Sequence, residues 1–186
     1  MHTGAIAVGQ LLVAAQPGHG GYFERAVVLL IEHNQEGTAG VCLNILSDVH
    51  VTAAAAPFVE HLSPPRVLFE GGPVNGDVVI ALGKPASQES PPPGWERLVG
   101  DIGLVDLSFP AELFASSFNG LRAFAGLSAW APGQLEGELI RGSWFRTAVR
   151  AEDVFAEPDD LWRRVLRRMG GVPARWSTWT DEPALN

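Results

Sequence analysis

The chain has 186 residues, 46% of them hydrophobic and 18% charged. That length and balance describe a single folded domain with a substantial core and exclude a disordered chain. A formal charge of −8 and a pI of about 5.0 disfavour a surface built for phosphate backbones.

Residues 6–13 read as a first strand. The apolar run around it, 5–15, lacks a basic start and is broken by Gln10, so it is no signal peptide. Residues 16–21, with Pro17, Gly18, Gly20 and Gly21, form a loop. Residues 26–31 are a short apolar run rich in β-branched side chains, the pattern of a strand buried on both faces. A polar turn over 33–37 then leads into a second strand, 38–44, so the pair reads as a hairpin with Gly37 at the turn exit. In the Ala-rich segment 52–62 a short helix starts at Pro57. Strands follow at 67–70 and 77–82, separated by Gly71, Gly72 and Pro73. Residues 85–93 are a proline-rich surface loop within the domain.

Two more strands are expected at 95–99 and 102–107. Ser108 is placed to cap a helix with Pro110 in its first turn and Gly120 at its end. A strand over 121–130 runs into Trp130, Pro132 and Gly133, and a short acidic helix follows, closed by Gly142. Residues 143–150 are a further strand. The last helix, 158–169, opens at Pro158 with Asp159 and Asp160 at the positive end of its dipole. Leu161, Trp162, Val165, Leu166 and Met169 form its buried stripe, and Gly170 stops it.

No Gly-x-Ser-x-Gly nucleophile elbow occurs. Cys42, the single cysteine, has no partner for an intramolecular disulfide and reads as a buried core thiol. The histidines at 2, 19, 33, 50 and 61 lack metal-ligand spacing, so neither a metal nor a cofactor is expected. Glu32, His33 and Asn34 are the best polar cluster, with groups able to move a proton or orient a ligand. The simpler reading makes them a strand end and turn. Asn44 is placed to satisfy local backbone groups. Gly71 and Gly72, with Pro73, allow a close backbone approach to an anion, or else a tight strand exit. Glu136 and Glu138 point to different helix faces and make a poor catalytic pair; Glu138 can pair with Arg141, and Gln134 can bond loop backbone. Arg163, Arg164, Arg167 and Arg168 form a basic face that complements the helix dipole and is otherwise solvated, with phosphate contact as the alternative.

Three blocks together resemble the YqgE/AlgH family of bacterial proteins. The first runs from Gly9 through Pro17, Phe23 and Val27 to Glu32, His33, Asn34, Gly37, Gly40 and Asn44. The second is Gly71, Gly72, Pro73 and Val74. The third is Trp130, Gly133, Gln134, Leu135, Glu138, Ser143 and Trp144. The match spans nearly the whole chain, and Val105, Asp106 and Leu107 resemble an actinobacterial branch. Departures from the usual pattern are Leu127, Ala129, Ile45 with Leu46, and Ala81 to Gly83, where relatives often carry Tyr, Gly, Arg-Pro and Leu-His.

The resemblance implies an α+β single domain, 1–186, with a small closed β-barrel or bent β-sheet flanked by helices. One branch name derives from control of alginate production, and "transcriptional regulator" is sometimes attached to it. No helix-turn-helix pattern is present here. The expectation is a cytoplasmic, non-enzymatic binding or regulatory protein with a protein partner or small ligand, off the membrane and away from nucleic acid. Its alternatives are a small-molecule or nucleotide-binding enzyme with Glu32, His33, Asn34, Gly71 and Gly72 around one pocket, and a DNA-associated regulator using the arginine face.

Overall fold

A computed structural model describes residues 4–18, 20–48 and 55–180. His2, His19 and His50, and residues 52–54 of the Ala-rich segment, lie outside them. The strands are β1 (Gln10–Ala14), β2 (Val27–Asn34), β3 (Gly37–Cys42), β4 (Phe69–Glu70), β5 (Val74–Pro85), β6 (Trp95–Val99), β7 (Ile102–Val105), β8 (Phe118–Trp130) and β9 (Trp144–Ala148). The α-helices are α1 (Gln134–Ile140), α2 (Ala151–Phe155), α3 (Leu161–Met169) and α4 (Gly171–Trp176). Strand order is β6-β7-β5-β8-β3-β2-β1-β9, with β4 added parallel to β8 and every other pairing antiparallel.

The long strand β8 joins the two halves of this path. It pairs with β5 along most of its length, and its last residues, Ser128 to Trp130, pair with β3. Gly126, with φ 70°, stands at the change of partner. A Cβ there would lie 2.6 Å from the Gly72 carbonyl oxygen, so only glycine lets the strand turn so close to another backbone. The sheet curls into a half-barrel. Val99 at the end of β6 packs on Gly9, just ahead of β1. Of the two shapes that the resemblance implies, the chain adopts the bent sheet.

Strand alternation explains where the core sits. Leu11, Val13, Val27 and Leu29 face α3 and share a cluster with Leu161, Trp162, Val165 and Leu166. Their neighbours Leu12, Val28 and Leu30 face the other way, onto Trp130, Leu135 and Trp144. The apolar run of β2 is thus buried on both faces, as its composition requires. Of the helical stripe expected over 158–169, Leu161, Trp162, Val165 and Leu166 are buried in α3 and Met169 packs half-buried beside them, each fully buried side chain worth about 1.5–3 kcal/mol of transfer free energy.

Several boundaries differ. The helix expected over 108–120 is a single 3₁₀ turn, Ala111–Phe114. Asp106, not Ser108, organises the entry: its carboxylate accepts the Ser108 N–H at 2.9 Å. Phe114 and Phe118 stand at helical spacing, yet they reach one core cluster from different elements, with ring centroids 5.5 Å apart. Gly120 lies inside β8, packed against Phe155. The strand expected over 77–82 extends to Val74–Pro85, and that over 143–150 stops at Ala148. There α2 intervenes, its Asp153 accepting the Arg150 N–H at 2.8 Å. The last long helix starts at Leu161 and is followed by α4.

Candidate functional site

The string after Trp130 builds a clamp. Gly133, in the left-handed region with φ 78°, turns the chain into α1. One turn later Glu138 faces inward. Its Oε2 accepts the indole N–H of Trp130 at 2.9 Å and that of Trp144 at 2.7 Å. Its Oε1 accepts from Gln134 Nε2 at 3.0 Å, and Gln134 Oε1 accepts the Ala131 N–H at 3.1 Å. Phe23 stacks on Trp130 and meets Trp144 edge-on. One carboxylate therefore ties β8, α1 and β9 through two largely buried aromatics. Gln134 bonds loop backbone as expected. Glu138 takes two indole donors, where a pairing with Arg141 was one expectation.

Burial pushes the Glu138 carboxyl up, but the donors from Trp144, Trp130 and Gln134 and the Arg141 charge outweigh it and hold it below the usual range. A depressed folded pKa stabilises the fold above the ordinary carboxyl value of about 4.3. That contribution disappears as pH falls through the folded value. Glu138→Leu leaves two indole donors without an acceptor and is expected to cost about 2–4 kcal/mol. Glu138→Gln is expected to cost less, because its amide oxygen still accepts, and to flatten the acid limb of the stability profile. Urea midpoints read between about pH 3 and 6 check both.

The other predicted residues divide between separate places. Glu32, His33 and Asn34 end β2. Asn34 Nδ2 donates to Glu32 at 2.7 Å, Asn34 Oδ1 accepts the Glu36 N–H at 2.7 Å, and His33 Nδ1 lies 2.7 Å from Thr38 Oγ1. They shape the hairpin turn, with Glu32 and Asn34 exposed. Asn44 works over a longer range than expected: its side chain accepts the Val27 N–H and donates to the Arg25 carbonyl, both at 2.9 Å. Cys42 is buried beside it, and burial pushes its thiol up to about 11, so it stays protonated at neutral pH.

Gly71 and Gly72 are buried against β8. The Gly71 N–H donates to Ala125 O, and its carbonyl accepts the Cys42 N–H and the Ser128 hydroxyl. Pro73 follows them exposed, at the entry to β5. Neither glycine lines the cavity described below.

The arginines of α3 are engaged within the chain. Arg168 forms a two-pronged pair with buried Asp153 at 2.7 and 2.8 Å. Arg163 donates to the Ser177 carbonyl at 2.5 Å and the Trp179 carbonyl at 2.7 Å. Arg164 donates to Glu157 and Asp159 carbonyls, and Arg167 meets Asp160. The expected solvated face is in fact a set of straps holding α2, α3 and the 177–179 segment.

A cavity of about 410 Å³ opens between residues 14–16 and 20–24 on one side and the turn from α1 into β9 on the other. Tyr22, Phe23 and Trp144 supply its aromatic surface, and Glu24, Glu138, Arg141 and Ser143 its polar groups. Of these residues, Phe23, Glu138, Ser143 and Trp144 figured in the three blocks, and only Glu138 as a candidate. Loop residues from opposite ends of the chain meet here because β1 pairs with β9, a contact that local spacing does not reveal. Among the described residues no group of three or more His, Cys, Asp or Glu side chains is placed to hold a metal ion, and no helix is long and apolar enough to cross a membrane.

Residues 11–174 match the AlgH-like family. A UPF0301 protein of Streptomyces coelicolor is 44% identical over 182 residues, covering 96% of this chain and 94% of the relative. One from Corynebacterium glutamicum is 36% identical with both chains fully covered. The crystal structure of a Corynebacterium diphtheriae protein superposes with a TM-score of 0.88 at 34% identity, covering 96% of this chain and 95% of the other. The solution structure of AlgH from Pseudomonas aeruginosa gives 0.65 at 21% identity, with 97% and 98% covered, a likeness of fold alone. A family match over most of its length, and relatives 36–44% identical along nearly their whole chains, show that this chain belongs to the AlgH-like family.

Proposed function

We propose that this is a cytoplasmic binding or regulatory protein without catalytic turnover, acting on a small ligand or a protein partner. One observation carries this reading. The polar side chains best suited to start a reaction are bonded into the fold, whereas the cavity beside Trp144 keeps polar groups facing solvent. Glu32, His33 and Asn34 fix a turn, Glu138 is saturated by three donors, and Cys42 is buried and protonated. An activated nucleophile needs a base within hydrogen-bond reach and access to substrate; His33 Nδ1 does meet a hydroxyl, that of Thr38 at 2.7 Å, but Thr38 is buried in the hairpin.

The straps made by Arg163, Arg164, Arg167 and Arg168 weigh against duplex binding, since a guanidinium already bonded internally releases fewer counterions on a phosphate. The expected result is no turnover in a broad screen of ester, phosphoester, amide and glycoside substrates. Turnover abolished by His33→Ala would overturn the reading.

A further inference from the structure

We infer that the cavity beside Trp144 takes a small zwitterion: a molecule carrying one ammonium and one carboxylate on an apolar body, the chemistry of an apolar amino acid or a short peptide. This rests on the binding reading above and gives it a site.

The volume, about 410 Å³, lies in the range of small-molecule pockets, roughly 300–1,000 Å³. Its charges are split between two segments. Arg141, in the turn after α1, is exposed, and its guanidinium makes no hydrogen bond or ion pair within the described residues; only the longer-range attraction of Glu138 acts on it. A planar fork left open at a cavity rim suits a carboxylate, which accepts two parallel N–H bonds. Ser143 beside it adds a hydroxyl.

Glu24 stands on the facing segment, half-buried. Its Oε1 accepts the Gly18 N–H at 2.9 Å, which fixes the side chain and leaves Oε2 for a cation. Trp144, Phe23 and Tyr22 line the same cavity, aromatic surface able to receive an apolar body and attract an ammonium.

Charge decides against a simple anion or a simple cation. Glu24 and Glu138 outweigh Arg141 in the lining, so an unaccompanied carboxylate meets net repulsion. Glu138 cannot answer a cation well, because its oxygens already accept from Trp130, Trp144 and Gln134. A cation alone would also leave Arg141 unmatched. A zwitterion satisfies Glu24 and Arg141 together.

The test titrates the protein with L-phenylalanine, phenylalaninamide and N-acetylphenylalanine. Binding is followed by NMR through the Trp144 indole N–H and the backbone amides of Gly20, Gly21, Arg141 and Ser143. L-Phenylalanine is expected to bind about tenfold or more tightly than either derivative, the worth of one charge-assisted contact. Arg141→Gln is expected to erase the preference over the amide and leave the preference over the acetyl derivative. Glu24→Gln is expected to do the reverse, keeping its carbonyl oxygen for the Gly18 N–H.

Gly-Gly-Phe, with its charges farther apart, separates the two sources: tighter binding than phenylalanine assigns a peptide, weaker binding a free amino acid. Equal binding of phenylalanine and its two derivatives, no binding at millimolar concentration, or preferences that survive both substitutions would overturn the inference. None of these outcomes bears on turnover, so the inference can fail while the binding reading stands.

Discussion

Replacing Gly72 with alanine is expected to destabilise the protein by about 4 kcal/mol or more, above the 1–3 kcal/mol typical of an overpacked core. A Cβ at this position would lie 2.1 Å from the Leu127 carbonyl carbon, 2.2 Å from its oxygen and 2.2 Å from the Ser128 nitrogen. All three are backbone atoms of β8, at the stretch where that strand changes partner, so no rotamer relieves the clash. Gly76→Ala is the matched control. It sits just downstream, inside β5, with nothing within 4 Å of its Cβ, and a change within about 0.5 kcal/mol is expected there. Denaturant midpoints for the two variants give the comparison. The outcome also separates two meanings of the glycine pair. A loss of stability assigns it to the fold. A Gly72→Ala protein with an unchanged midpoint would reopen the anion-binding meaning, which needs backbone N–H groups facing solvent.

Gly72 also illustrates what could be read from the chain. Its motif was visible, but its partner was not, because Leu127 lies 55 residues away and only the folded sheet brings them together. Where a signal is periodic, the sequence carried it. The apolar run of β2 and the stripe of α3 depend on local alternation and on 3.6-residue spacing, and both occupy the core as their patterns require. Where start and stop residues stood in for a period, it misled: Ser108, Pro110 and Gly120 suggest a whole helix, and only one 3₁₀ turn forms before β8 begins. Glu138 stands between these cases. Its place on α1 was legible from the Pro-Gly turn. That two indoles share its oxygen was not, because Trp144 reaches it only through β9 and its pairing with β1. The cavity depends on the same long-range pairing, which is why Glu24 and Arg141 were missed.

Arg122→Met is expected to cost about 4 kcal/mol, a large share of the 5–15 kcal/mol that hold a domain folded. Arg122, on β8, is 1% exposed. Its Nη1 donates to the Val154 carbonyl at 2.7 Å and the Ala156 carbonyl at 3.0 Å, and its Nη2 to the Pro64 carbonyl at 2.6 Å. The Phe69 ring lies below it, 4.4 Å from the guanidinium carbon. Burial lowers its pKa to about 10, opposed by the Glu157 charge, so it remains a cation at neutral pH.

Two terms compete in this substitution. Methionine avoids the desolvation of a buried charge, which favours the variant. It also leaves three carbonyls without their donor, each worth about 1.5–3 kcal/mol when the donor is charged. The second term is the larger, because three acceptors lose one charged donor at once: Pro64 in the turn before β4, whose neighbour Ser63 also bonds Leu121, and Val154 and Ala156 at the end of α2. Arg122→Lys is expected to lose roughly half as much, since one ammonium cannot reach both segments with the same geometry. Hydrogen exchange locates the damage. Amides near Pro64 and between Val154 and Glu157 are expected to exchange faster than the global midpoint implies, while those of β1, β2 and β3 follow it. Uniform acceleration across the sheet would instead make Arg122 a support of the whole core. The lone charge in the apolar stretch from Leu121 to Phe124 was the available signal for it: an inward position that admits arginine only where backbone acceptors converge.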